Sequence, residues 1–407
     1  MTDSHSGKKD ANTISRREVL AGAAVGSAIL GSDVVSAAGA SSVPVGESET
    51  GLQPGPERGI PRYTALALQL ACDSVNRDDP QSARRRIADS LERYAGAIRD
   101  TSAFLKVYSG RRVGLVVLPE YFLTGFPLRE SSAEWKSKAA LEPDGPEYEF
   151  LSRIAQSSGI YLSGNVYETD QHFPELYFQA SFIIAPSGDL ILRYRRLISM
   201  YTPTPYDVWD KYLDRYGLDG VFPVADTDIG RLACIASEEI LYPELARCLT
   251  MRGAEIFCHS SSEVGSVELT MKDLAKRSRA IENLAYVVSA NTAGIRSIAL
   301  PESSTDGMSK IVGPRGEVIE AAGFGESQAA GKIDIAALRS ERSQAGMTNL
   351  LARQPFQAYY ESYRDFEHLP ANTLASIPEG QSARSIAHRR LADTIARLDT
   401  GQTRRRQ

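Results

Sequence analysis

Little in this chain suits metal or redox chemistry. Its four cysteines, Cys72, Cys234, Cys248 and Cys258, have no CxxC spacing, which excludes zinc-ribbon and dithiol motifs. Each lies in an apolar run, where a cysteine behaves as a small buried hydrophobe. Histidine is scarce too, with five in 407 residues. Neither sign of charge dominates: the formal net charge is −5, so the electrostatic footprint of a nucleic-acid or anionic-membrane partner is missing. No apolar run has the length of a stable membrane span. No internal repeat is visible, and no metal or organic cofactor is indicated.

What is present begins with an address. Residues 1–14 are polar. Ser15-Arg16-Arg17-Glu18-Val19-Leu20 follows, then a weakly apolar stretch over 21–30 and small residues over 35–40. Basic, apolar and small-residue parts in that order describe an export signal, and the paired arginines are of the twin-arginine type. The expectation is a signal over 1–40 and a periplasmic or extracellular, secreted protein. Such a substrate folds before export, so a missing disulfide pattern is compatible with it. Residues 41–60, rich in Gly, Pro and Ser, read as a linker.

From residue 63 onward, strands and helices alternate. Residues 63–70, the apolar run 113–118 and residues 160–166 predict strands, the second buried on both faces. Residues 80–100 carry apolar side chains at helical spacing, with Ile87, Leu91, Tyr94, Ala95 and Ile98 on one face. Residues 146–158 also predict a helix. Residues 176–185 and 190–195 flank Pro186-Ser187-Gly188-Asp189, a hairpin pattern. Residues 199–223 read as a long loop or lid with one helical piece. Strands at 254–258 and 286–291, a helix at 269–283, a hairpin over 308–312 and 318–322 and a closing strand at 331–335 complete the set. Interleaved helices with tightly joined strand pairs imply an α/β fold, either one mixed sheet or two sheets packed face to face with helices outside. Beyond 345 lies an extension: an aromatic-rich stretch at 354–366 suited to packing on a neighbour, an amphipathic helix at 383–398, and the basic end Arg404-Arg405-Arg406-Gln407.

One unit stands out. Residues 232–236 form a buried strand that breaks at Ser237-Glu238-Glu239, after which Pro243 opens a helical pattern. A short buried strand turning sharply into a helix is a common seat for a nucleophile in α/β enzymes. Ser237 occupies the turn, where a serine also serves as an N-cap. Glu238 and Glu239 add negative charge beside it. They suit a cationic or polar neutral ligand, or satisfy helix amides.

The order of motifs resembles the nitrilase superfamily of carbon–nitrogen hydrolases over about residues 62–345. Leu118-Pro119-Glu120-Tyr121-Phe122-Leu123-Thr124-Gly125 is similar to the family's strand-end glutamate segment, and Tyr194-Arg195-Arg196-Leu197 to its Tyr-Arg-Lys motif. Ser237-Glu238-Glu239-Ile240-Leu241-Tyr242-Pro243-Glu244 is similar to its Cys-Tyr-Asp-x-x-Phe-Pro-Glu motif. Arg279-Ala280-Ile281-Glu282-Asn283 with Asn291, and the hairpin around Pro314-Arg315-Gly316, follow in the family's order. The resemblance implies a domain over 61–345 with a four-layer α-β-β-α sandwich, pairing as a homodimer into an eight-layer assembly, with a C-terminal extension over 346–407. It implies hydrolysis of an amide or nitrile by a glutamate base, an oxyanion-holding lysine and a nucleophilic cysteine. Here the glutamate is Glu120, the lysine position holds Arg196 and the cysteine position holds Ser237. Tyr121, Glu238 and Glu239 fall beside these as pocket residues. The accessory fourth acid of the family has no matching position; Asp210, Asp214 and Asp219 all lie in the variable loop.

The two departures weaken the nucleophile more than the charge. A thiol ionises near pH ~8.5, whereas a hydroxyl needs a well-placed base at the moment of attack. An arginine stays charged and can still donate to an oxyanion. Cys234 is no substitute, because a spacing of three along a strand points it to the other face. His259, following the strand predicted at 254–258, is the possible assisting base for Ser237, with a strand-end capping role as its alternative. Two functions follow: a carbon–nitrogen hydrolase of amidase or nitrilase type with serine for cysteine, or a non-catalytic pseudoenzyme whose Glu120, Arg196 and Ser237 form a binding pocket. Loops 121–145 and 199–223 would set substrate choice and carry no readable code.

Overall fold

The computed structural model describes residues 59–200, 202–364, 366–375, 383–399 and 404–405. The expected signal and most of the linker therefore lie outside the described residues, as do residues 406–407 of the basic end. Among the described residues two large mixed sheets carry the fold. The first contains β1 (Tyr63–Gln69), β2 (Val113–Val117), β3 (Tyr161–Thr169), β4 (Tyr177–Ile184), β5 (Leu190–Arg195) and β12 (Ser327–Ile333), in the order β12-β1-β2-β3-β4-β5. The second contains β6 (Ala225–Thr227), β7 (Gly230–Ala236), β8 (Ile256–Ser260), β9 (Tyr286–Ala290), β10 (Lys310–Val312) and β11 (Val318–Ala321), in the order β11-β10-β9-β8-β7-β6. In each sheet the central strands run parallel and the flanking hairpins antiparallel.

Strand alternation sorts the layers. Ala65 and Ala67 of β1 join Leu232, Cys234 and Ile256 in the core between the sheets, whereas Leu66 and Leu68 face the helices outside. There α1 (Pro80–Ser109) buries Ile87, Leu91, Tyr94 and Ile98, the stripe read from the sequence. It begins at Asp79, whose side chain accepts from the Ser82 amide, and stops at Gly110 in the left-handed region, where glycine carries no Cβ penalty. After the short α2 (Ser132–Ala139), α3 (Pro146–Ser158) covers the same face with Leu151 and Ile154. On the far side, α5 (Pro243–Met251) and α6 (Met271–Asn283) bury Leu245, Leu249, Ala275 and Ala280 against the second sheet. The result is the four-layer α-β-β-α sandwich.

The lid segment at 199–223 contains a 3-10 turn, Pro205–Val208, running into α4 (Trp209–Tyr216). After α7 (Ile335–Ser343), the aromatic-rich stretch of the extension folds as α8 (Phe356–Arg364) and its last helix as α9 (Ala383–Asp399). One boundary differs in a way that matters. The strand expected at 254–258 lies at 256–260, because Ile256–Ser260 pair five-on-five with Leu232–Ala236 and Tyr286–Ala290. His259 is therefore inside the sheet rather than beyond its end.

Candidate active site

The site is built where β2, β5 and β7 end. Two non-glycine residues there have a left-handed backbone, Tyr121 at φ 55° and Ser237 at φ 49°. Tyr121 opens a tight turn whose carbonyl accepts from the Thr124 and Gly125 amides. Gly125 is itself at φ 68°, and a Cβ there would lie 2.6 Å from Ser74 Cβ, so only glycine fits. Ser237 begins the 3-10 turn Ser237–Leu241 that leads into α5, the strand-to-helix corner expected of it.

Arg196 organises the cluster. Its Nη1 donates to Glu120 Oε1 at 3.1 Å, Gln179 Oε1 at 2.8 Å and the Tyr121 hydroxyl at 3.4 Å. Its Nη2 donates to Glu238 Oε1 at 2.6 Å and its Nε to the Ile198 carbonyl at 2.7 Å. Opposite charges on both sides push its ionisation further up despite burial. Glu120 is 1% exposed, and its Oε1 also accepts from Gln179 Nε2 at 2.7 Å. Gln179 in turn donates to Asn165 Oδ1 at 2.8 Å, so a buried relay fixes the carboxylate. Burial, with Glu120 alongside, raises the ionisation of the Tyr121 phenol, keeping it a neutral hydroxyl. The structure thus brings Glu120, Tyr121, Arg196 and Glu238 into direct contact, with Ser237 next to Glu238 in the chain.

Glu239, expected in the pocket, and His259, expected as the assisting base, both pack behind the corner. Glu239 is fully buried behind the turn. Its carboxylate accepts from the Tyr194 hydroxyl at 2.7 Å, the amides of Leu197 and Ile198 at 2.8 and 2.9 Å, and the Ala236 amide at 3.2 Å. It pins the segment after β5 to the turn after β7, and so holds Arg196 against the Ser237 corner. Burial pushes its carboxyl up to about 7, against the pull of Arg196 and these donors.

His259 packs against the same corner. Its Nε2 lies 2.8 Å from the Ser237 carbonyl oxygen and its Nδ1 2.8 Å from Ser289 Oγ. A carbonyl only accepts, so Nε2 carries the proton and Nδ1 accepts from the Ser289 hydroxyl. Burial, reinforced by the nearby Lys276 ammonium, holds the ring neutral. Neither nitrogen remains to take a proton from the Ser237 hydroxyl. The ring braces the backbone of the corner instead, because the strand lies two residues further along and holds it within the sheet. Cys234 lies 3.7 Å from Ser163 Oγ between the sheets, and burial pushes its thiol well up.

Two residues of the cluster were not legible as functional. Gln179 had a faint signal, a polar side chain inside the apolar run of β4. Lys272 had none: it is 35 residues beyond Ser237, on α6, and its Nζ donates to Ser237 Oγ at 3.3 Å. No hydrogen bond joins Glu120 to that hydroxyl. Among the described residues no three His, Cys, Asp or Glu side chains gather as a metal site, and no helix is long and apolar enough to cross a membrane.

The profile of the carbon–nitrogen hydrolase family matches residues 87–345. This chain belongs to that family. Similar proteins include a nitrilase of Pyrococcus abyssi, 28% identical over 244 residues, which are 58% of this chain and 83% of that protein. They also include a formamidase of Helicobacter acinonychis, 29% identical over 241 residues, 59% of this chain and 65% of that one. Among solved structures, a carbon–nitrogen hydrolase from Helicobacter pylori G27 superposes with TM-score 0.56 at 21% identity, covering 74% of this chain and 98% of the other. Nit3 of Saccharomyces cerevisiae, a nitrilase-superfamily member, superposes with TM-score 0.54 at 22% identity, covering 72% and 97%. The fold of this carbon–nitrogen hydrolase family member is thus the nitrilase fold.

Proposed function

We propose that this carbon–nitrogen hydrolase family member cleaves an amide or nitrile of a small molecule with Ser237 in place of the family thiol. The observation that carries the reading is the Glu120–Arg196–Glu238 chain of ion pairs, which sets a fixed carboxylate and a fixed guanidinium beside a serine held in a left-handed turn. Glu120 is the proton acceptor, Ser237 the nucleophile, and Arg196 the counter-charge that holds Glu120 in place. Relatives that include a nitrilase and a formamidase support this substrate class. The experiment is an amide and nitrile panel on the full chain with Ser237→Ala and Ser237→Cys alongside. Turnover lost in Ser237→Ala carries the reading; turnover equal in wild type and Ser237→Ala ends it.

A second reading has its own observation. Every N–H-bearing atom of Arg196 already has a protein acceptor, which suits a pocket that binds without turnover. No activity in wild type, with activity appearing in Ser237→Cys, selects it.

We also infer export by the twin-arginine route, and a homodimer. Met251, Tyr359, Tyr360 and Tyr363 are 46–62% exposed around a cavity of about 470 Å³ between α5 and α8, apolar surface of the kind a second copy covers. Light scattering on the purified protein tests the dimer, and retention in the cytoplasm of an Arg16→Lys, Arg17→Lys variant tests the route.

A further inference from the structure

We propose that Lys272 is a catalytic residue, an ammonium that holds the Ser237 oxygen and then the negative charge arising on the carbonyl oxygen of the substrate. The inference rests on the hydrolase reading above and reassigns one of its parts, because an oxyanion needs a donor that is not already spent. Arg196 does not offer one readily. Its Nε faces the Ile198 carbonyl, Nη1 is shared among Glu120, Gln179 and Tyr121, and Nη2 faces Glu238. Turning it toward substrate would strip a buried carboxylate of its counter-charge, a costly move.

Lys272 is differently placed. It is half-buried, and Ser237 Oγ, at 3.3 Å, is the hydrogen-bond partner of its Nζ among the described residues. An ammonium has three donors, so two remain for a ligand. No structural role accounts for the position. It is the second residue of α6, where a positive charge opposes the helix dipole. The helix is already capped by the Thr270 and Asp273 pair. The acids nearby belong to other cations: Glu263 pairs with Lys276, and Asp273 with Lys276 at 3.6 Å and Lys310 at 2.5 Å. The described ion pairs include none for Lys272. What it touches is the nucleophile.

The step balances with the protein's own groups and water. Ser237 Oγ bonds to the amide carbon, its proton passes to the Glu120 carboxylate, and the carbonyl π pair moves onto the oxygen, where the Lys272 ammonium donates to it. The pair returns, the C–N bond breaks, and the nitrogen leaves as an amine with the proton from Glu120. Water then cleaves the acyl-serine ester by the same sequence, giving the acid.

The test uses the full chain with Lys272→Met, Lys272→Arg and Ser237→Ala, each first checked for an unchanged thermal unfolding midpoint. The readouts are labelling by a fluorophosphonate, which bonds to an activated serine and develops charge on its phosphoryl oxygen, and turnover of the amide panel. Expected is a single label on Ser237, slowed about 10²–10³-fold in Lys272→Met as for loss of an oxyanion donor and partly restored in Lys272→Arg. Panel kcat should fall in parallel while KM changes little. Labelling within about threefold of wild type in Lys272→Met overturns the assignment and leaves the hydrolase reading standing. Normal Lys272-dependent labelling without turnover of any amide or nitrile sinks the hydrolase reading and leaves the assignment. No label on wild-type Ser237 overturns both.

Discussion

Removing the Arg196 guanidinium should reveal how strongly the site depends on one charge. In Arg196→Met, Glu120 stays buried at 1% exposure, with Gln179 Nε2 still donating at 2.7 Å but no counter-charge. Breaking a buried pair from one side strands the other charge, which costs about 3–5 kcal/mol. Glu238 contributes little, since its side chain is 28% exposed and water replaces the partner. The Ile198 carbonyl and Gln179 Oε1 also lose donors, on the order of 1 kcal/mol each. A domain with a total stability of roughly 5–15 kcal/mol would lose a large share of it. Adding Glu120→Gln removes the stranded charge, so the double variant should be more stable than Arg196→Met alone. The resulting coupling between the two positions should be about 2–3 kcal/mol. Urea unfolding of the four proteins, with slopes preserved, measures it. A single-variant loss under ~1 kcal/mol, or independent effects of the two substitutions, would refute the claim that this pair is sealed from solvent.

Three further outcomes are expected. Because burial raises the Glu239 carboxyl from its usual 4.5 to about 7, the folded state holds that proton more tightly than the unfolded chain. This contribution is complete below pH 4.5 and is lost as pH climbs through 7. It amounts to roughly 3 kcal/mol at ~1.4 kcal/mol per tenfold change, so the stability difference between wild type and Glu239→Gln should drift across that window, and a flat difference would contradict it. His259→Leu orphans the Ser289 hydroxyl, and unfolding should show a loss of about 1–3 kcal/mol; an unaffected variant would mean that water already serves that group. Asp207, 4% exposed, accepts from Thr204, Thr373 of the extension and Arg390 of α9. Arg390→Met should therefore release α9 from the lid and speed proteolysis after residue 375, whereas an unchanged cleavage rate would show that the apolar contact of Ile386 with the Val208 and Tyr212 cluster suffices.

Much of this was readable because apolar periodicity reports layers. The stripe of α1 and the continuous run of β2 are direct consequences of being covered on one face and on two. The contact of Glu120 with Arg196 was legible because motif order fixes strand ends, and strand ends fix what can meet. The failures share a physical cause. His259 and Ser237 are 22 residues apart, and only the register of β8 against β7 decides that the imidazole meets a carbonyl rather than a hydroxyl. Glu239 looks like its neighbour Glu238 in the sequence. One is buried against amides and the other half-exposed, because a 3-10 turn points successive side chains in different directions. Lys272 could not be found at all, since a helix brought in after a loop leaves no spacing that relates it to Ser237.

The left-handed backbone at 237 has one more consequence. A side chain there is disfavoured by about 1–3 kcal/mol relative to a residue without a Cβ, so the corner is held in shape by its surroundings and not by its own preference. Ser237→Gly should therefore make the protein harder to unfold even as it deletes the oxygen proposed as the nucleophile. The gain in that variant measures how much folding free energy is given up to keep a hydroxyl in this place.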